Sequence, residues 1–434
     1  MTHEKKPYSI TISQLAELGR EHIPAELISS THLIYNSPAA LAFNSPGAQG
    51  FGVKRAGLAI PGSVMLLVGP GCCGRNTTIL SEMGGYSDRF FFYIMDEMDI
   101  VTGRHLRKIP QAVTEILEDL PVKPSVVMIC MTCADALLGT DMERVCRKAE
   151  AAAGLPVVPC YMYALTREGR KPPMVDVRRA VYSLLKKQKR HKRTVNLLGY
   201  FAPLQDDCEL YDILHQLGIT TINELSRCQT FAAYQDMAKA NFNVILNPES
   251  RLAAQHMEKN LGIPSIELTR LYQVGQIHTQ YQALGQVLQT TVDDSHWYEA
   301  AKETVAYIKR QYSGTTVAIG EMQNGNAFEM ALALTRYGFC VREIYANLSG
   351  DDFVYLRHLQ KLSPDTRVYS NLSPSMLYYD GSRYPVDVTI GKDAAYYHDD
   401  SVHVFWDEEV QPFGYAGVLA LLRKLDAAWK GRNS

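Results

Sequence analysis

Short apolar runs recur along the chain, and most give way to stretches in which apolar positions return every three or four residues. The runs cover residues 64–68, 125–130, 154–160, 194–198, 243–246, 315–319 and 386–390, with a last one at 401–406. They are rich in β-branched residues, as strands are. Between them lie helical patterns, such as the amphipathic stretch from Asp141 and the long polar helix at 297–312. Strands alternating with helices of this kind predict an α/β fold of doubly wound parallel sheets.

Two breaks divide the pattern. Residues 186–193, Lys-Lys-Gln-Lys-Arg-His-Lys-Arg, form a basic run just ahead of a new strand, and Ser313-Gly314 follows the long helix. Three Rossmann-like domains are expected, at 1–190, 191–312 and 313–434. The basic run reads first as a solvated linker, with docking of an acidic protein as the next alternative. Lys plus Arg total 44 against 46 Asp plus Glu, a net charge of −2 in 434 residues. That balance argues against nucleic acid or an anionic membrane as the main partner. No stretch approaches the roughly 20 apolar residues of a membrane span, and the charged start of the chain precedes no apolar signal core. The expectation is a soluble, cytoplasmic protein.

Nine cysteines are present. Cys146, Cys160, Cys208, Cys228 and Cys340 are scattered, whereas Cys72, Cys73, Cys130 and Cys133 are grouped at the ends of two expected strands. In open parallel sheets ligands sit outside the carboxyl ends of strands, where loops can converge. Gly69, Gly71 and Gly74 around the first pair would let the backbone approach a bulky ligand, and Arg75-Asn-Thr-Thr78 is expected to open a helix whose N–H groups favour an anionic group. Thiolates are the ligands of iron–sulfur clusters. Three other readings compete: a thiol–disulfide pair at Cys130 and Cys133, a structural zinc site, although neighbouring cysteines rarely both reach one tetrahedral ion, and inert core thiols.

Three motifs add a resemblance. Gly69-Pro-Gly-Cys-Cys-Gly74, then Asp96-Glu-Met-Asp-Ile-Val-Thr-Gly103, then Cys133-Ala-Asp-Ala-Leu-Leu-Gly-Thr-Asp-Met142 follow one another. Their order and spacing resemble nitrogenase component 1 and its relatives, as do His256–Pro264 and Phe413-Gly-Tyr-Ala-Gly417. The resemblance implies that Cys73 and Cys133 ligate an iron–sulfur cluster at an interface with a second component 1 subunit. It further implies electrons from an ATP-hydrolysing iron–sulfur partner, docking near residues 96–103, and a small-molecule substrate. The chain has no Walker-type G-x-x-x-x-G-K-[ST] of its own. Cys72 and Cys130 are candidate extra ligands.

Departures from the family pattern refine this. The family's further cysteine upstream of the Gly-Pro loop is absent, so two ligands per chain suit one [4Fe–4S] cluster shared between subunits. The molybdenum–iron cofactor ligands are absent too: residues 246–250 hold no cysteine and 406–414 no histidine. That argues against dinitrogen reduction and for a reductase acting on a tetrapyrrole or another unsaturated substrate. The alternatives are a scaffold for metallocofactor assembly and a thiol oxidoreductase using Cys130 and Cys133. His398 and His403 are candidate proton donors or ligands, Asp407-Glu-Glu409 a candidate proton relay, and residues 320–325 a candidate cavity wall. Arg167, Arg170 and Lys171 could meet a carboxylated substrate. Tyr378, Tyr379, Tyr396 and Tyr397 read as packing.

Overall fold

The computed structural model describes residues 6–28, 37–43, 57–161 and 173–432. The first strand, β1 (Ser9–Thr11), belongs to the last sheet. The next four, β2 (Ser63–Gly69), β3 (Phe90–Ile94), β4 (Val126–Met131) and β5 (Val157–Tyr161), form a parallel sheet in the order β3-β2-β4-β5. A second parallel sheet, β7-β6-β8-β9, comes from β6 (Thr194–Leu198), β7 (Thr221–Glu224), β8 (Phe242–Ile245) and β9 (Ser265–Glu267). The third runs β1-β12-β11-β10-β13-β14, with β10 (Thr316–Gly320), β11 (Cys340–Tyr345), β12 (Arg367–Tyr369), β13 (Val388–Ile390) and β14 (Val402–Val404). Only β1 pairs antiparallel among the described residues. The fold is α/β with parallel sheets, as the alternating pattern predicts.

The chain divides into two compact units that are not continuous in sequence. One is Met1–Ser45, Leu204–Gly218 and Arg270–Ser434; the other is Pro46–Pro203 and Ile219–Thr269. The first and second sheets lie in the latter unit, the third in the former.

In the first sheet, successive side chains serve two cores. Val64, Leu66 and Val68 of β2 join Val127, Ile129 and Met131 of β4 on one face. Met65 and Leu67 join Val126, Met128 and Cys130 on the other. Helix His105–Asp119 covers the first face with Ile109, Val113 and Ile116, and helix Met142–Ala153 with Met142, Val145, Cys146 and Ala149. Both sets keep the three-and-four spacing of a helical stripe. Each fully buried aliphatic side chain contributes roughly 1.5–3 kcal/mol. Helix Met142–Ala153 starts at Asp141, whose side chain accepts the Arg144 N–H, and stops at Gly154, in the left-handed region at φ 61°. Gly154, expected in a strand, therefore ends a helix, because only glycine takes that conformation cheaply.

Candidate functional site

The strand order decides what the cysteine loops can do. The chain runs from β2 outward to β3, then crosses β2 to lay down β4 and β5 on its other side. Loops leaving β2 and β4 therefore turn to opposite faces, which opens a crevice beyond their carboxyl ends. Leu67 pairs with Cys130 and Val68 with Met131, so the two strands end side by side. The turn that leads to Cys72 and Cys73 thus meets the one that leads to Cys133. Sequence alone left that convergence open.

The two loops are in contact. A Cβ at Gly69 would lie 2.6 Å from both Cγ2 and Oγ1 of Thr132, and one at Gly74 would lie 2.0 Å from the Phe92 ring. The expectation that these glycines make room for a ligand is accordingly revised: Gly69 admits Thr132, and Gly74 admits β3. Only Gly71 of the three faces open space, with Ile94 Cγ2 at 3.9 Å. The following helix is Gly71–Met83, so Cys72 and Cys73 occupy its first turn and do not precede it. The Cys73 N–H donates to the Pro70 carbonyl at 2.9 Å. Cys72 is exposed and Cys73 half-buried, with their Sγ atoms 4.0 Å apart. Cys133 opens helix Cys133–Leu138, and its side chain lies outside the described residues.

Thr132, which sequence reading passed over, has a buried Oγ1 with no hydrogen-bond partner. A hydroxyl stranded against the end of β2 suits a sulfur-rich acceptor, and of the candidate thiols Cys72 is exposed and Cys73 half-buried. The residues at the crevice therefore fit an iron–sulfur cluster. Among the described residues no group of three or more His, Cys, Asp or Glu side chains could hold a metal ion. Cys130 lies elsewhere. It is fully buried on β4, packed in the core with Cys160, and hydrogen bonding to Cys160 together with burial pushes its thiol pKa up. Cys146 is buried too, and burial raises it.

Residues 96–103 form a rigid clamp next to this crevice. Asp96 caps helix Glu97–Thr102 by accepting the Asp99 N–H, and Gly103 ends it in the left-handed region at φ 68°. Burial alone would raise the Asp99 pKa. Hydrogen bonds from Lys108 and from the Tyr93 hydroxyl, with the Asp96 N–H, outweigh it and hold the carboxyl at about 2. Lys108 Nζ is 2.7 Å and Arg104 Nε 3.2 Å from Asp99 Oδ1. Buried His105 ties the second motif to the third, with Nδ1 3.0 Å from the Asp99 carbonyl and Nε2 3.2 Å from Thr140 Oγ1. Much of what distinguishes these motifs is thus capping and bridging. Met98 and Val101 remain 55% and 80% exposed beside a groove of about 580 Å³ lined by Ile100, Leu106, Leu138 and Arg144.

The other candidates are held in place. His398 Nε2 is 2.9 Å from Glu343 Oε2, which also accepts from Tyr345 and Tyr379. That cluster is buried, and Tyr397 packs against its tyrosines, as expected of packing residues; Tyr378 and Tyr396 are exposed. His403 Nδ1 meets Thr389 Oγ1 at 2.8 Å. Asp407 pairs with Lys392 and Glu408 with Lys424. Residues 320–325 follow β10 at the switch point of the third sheet, where Asp393 accepts the Glu321 and Met322 N–H groups. In the second sheet, Glu249 pairs with buried Arg178 at 2.6 Å within the cysteine-free stretch 246–250. Arg167, Arg170 and Lys171 lie outside the described residues.

The sequence model of the nitrogenase component 1 type oxidoreductases matches residues 48–430. The chain belongs to this family. The family binds iron–sulfur clusters, and its members typically form multimers and work with an ATP-dependent iron protein. The chain is 28% identical over 188 residues to the nitrogenase iron-molybdenum cofactor biosynthesis protein NifE of Klebsiella pneumoniae, covering 40% of each chain. It is 25% identical over 362 residues to NifE of Sinorhizobium fredii, covering 77% of this chain and 70% of that one. It spans only 40% to 45% of the length of the first curated relatives it matches. Among solved structures, "Nitrogenase Cp1 at pH 6.5" aligns with a TM-score of 0.70 at 15% identity, over 92% of this chain and 93% of that one, a likeness of fold. No described helix of this component 1-type chain is long and apolar enough to cross a membrane.

Proposed function

We propose that the chain is the cluster-bearing subunit of a component 1-type reductase, contributing Cys73 and Cys133 to a [4Fe–4S] cluster shared with a second such subunit. The observation that supports this best is the meeting of the two cysteine loops at the β2–β4 switch point. A bound cluster supplies one-electron transfer at low potential. The chain's own part is to present thiolates at a partly shielded edge and to exclude bulk water with the Gly69–Thr132 contact. The Asp99 clamp would hold Met98 and Val101 toward an ATP-hydrolysing iron–sulfur partner. The substrate is a tetrapyrrole or another small unsaturated molecule, and its proton donor is unassigned. Cys130 is left out of the ligand set because its thiol is in the core.

A second reading is a scaffold on which a metallocofactor is assembled, favoured by the names of the curated relatives. Turnover separates the two: substrate reduction with partner, ATP and strong reductant supports the reductase, and retention of a cofactor without turnover supports the scaffold. A thiol oxidoreductase using Cys130 and Cys133 would need Cys130 as an accessible thiol, and burial runs against it. The cluster itself is tested by anaerobic purification with iron and sulfide counting and electron paramagnetic resonance. Cys73→Ala and Cys133→Ala should each abolish the signal, while Cys146→Ala leaves it intact. A signal unchanged in both cluster variants rejects the assignment.

A further inference from the structure

Successive positions on a helix point about 100° apart and do not face each other. Cys72 and Cys73, in the first turn of helix Gly71–Met83, nevertheless bring their Sγ atoms to 4.0 Å. A tetrahedral ion bound by thiolates at about 2.3 Å sets its sulfurs roughly 3.8 Å apart, so the pair needs to close by only ~0.2 Å. The four thiolates of a [4Fe–4S] cluster instead serve separate irons, and adjacent sulfurs this close do not suit two of its corners. Neighbouring cysteines seldom share an ion, and in this conformation their sulfurs come close to the separation that sharing needs. Cys72 is exposed and Cys73 half-buried, which opens the pair to an ion from solvent.

We propose that Cys72 and Cys73 chelate a single thiophilic divalent ion, Fe²⁺ or Zn²⁺ by its chemistry, in the cluster-free chain. Each S–H bond gives way to an S–metal bond, and the two protons pass to solvent. Two further ligands come from water. This rests on the reading of Cys73 as a metal ligand and adds Cys72, which stands at an unspecified position of the Gly-Pro-x-x-Cys-Gly motif.

The test is an anaerobic titration of the full-length, reduced, cluster-free chain with Co²⁺, whose sulfur-to-metal charge-transfer band counts thiolates and whose visible bands report tetrahedral geometry. Wild type should bind one ion at this pair with release of two protons. Cys72→Ser should lose the share of the charge-transfer intensity due to one thiolate and release one proton fewer, with its circular dichroism unchanged because the position is exposed. A Cys72→Ser band as intense as the wild type overturns the proposal, as does a wild type with no charge-transfer band. Iron and sulfide counts on the anaerobically purified protein separate the two readings. No cluster with the two-thiolate Co²⁺ spectrum present sinks the cluster and keeps the chelate. A cluster with an unaltered Cys72→Ser spectrum does the reverse.

Discussion

The contact between Gly69 and Thr132 makes a prediction that can be worked from distances. Replacing Gly69 by Ala puts a methyl 2.6 Å from Thr132 Cγ2 and Oγ1, far inside van der Waals contact. Gly69 ends β2 in the centre of the sheet, and its carbonyl accepts the Met95 N–H at 2.9 Å, so the backbone is held on that side. Relief must come from Thr132, which pushes the loop before Cys133 away from Cys73. Overpacking of this size costs about 1–3 kcal/mol, seen as a fall in melting temperature of about 2–12 °C for a unit of this size. The variant should also carry less iron and sulfide after anaerobic purification. Thr132→Ala removes both colliding atoms, so the Gly69→Ala/Thr132→Ala double variant should recover most of the stability lost by Gly69→Ala. A double-mutant cycle in denaturant unfolding measures this coupling. A Gly69→Ala protein as stable as wild type, or a double variant no better than the single, would refute the argument that these loops are wedged together.

Other outcomes follow from the same structure. Asp99→Asn leaves Lys108 without its carboxylate and Arg104 with Asp96 alone, and should cost about 1.5–3 kcal/mol, the range of hydrogen bonds to charged groups, with faster amide exchange in residues 96–103. Because Asp99 is held at about 2, its stabilisation is fully present above its ordinary pKa and is lost as pH falls from there through about 2. Glu329 behaves oppositely. Burial pushes it up to about 7, against donors from Gln273 and the Tyr272 N–H. Folding therefore takes up a proton between about 4.5 and 7, so this group's contribution falls as pH rises across that window. Glu329→Gln should flatten that slope in denaturant midpoints measured at pH 5 and 7.5. Cys130→Ala should cost stability through a small core cavity, on the order of 1 kcal/mol, and leave iron content unchanged; loss of iron would return Cys130 to the ligand set.

How much of this was legible along the chain follows from which signals are local. The runs at 64–68 and 125–130 were readable as buried strands because apolar residues fall on both faces, and 194–198 by its Val and Leu positions despite Thr194 and Asn196; the structure places them in β2, β4 and β6. β1 and β12 are three residues each and carry no periodicity of their own, so their antiparallel pairing had no sequence signal. Glycine positions were visible, but not what they accommodate: Gly69 meets Thr132 and Gly74 meets Phe92 across strand pairings the chain does not declare. The four grouped cysteines illustrate the division most clearly. Their residue types and strand-end positions, with the motif resemblance, were enough to single out Cys73 and Cys133 and to name thiolate chemistry. Tertiary structure alone separated Cys130, which lies on β4 in a sheet covered on both faces, from Cys72, which the first helical turn leaves exposed beside Cys73. The physical reason is that side-chain chemistry is carried by each residue, whereas burial and proximity depend on which strands become neighbours, and the order β3-β2-β4-β5 is settled only when the sheet assembles.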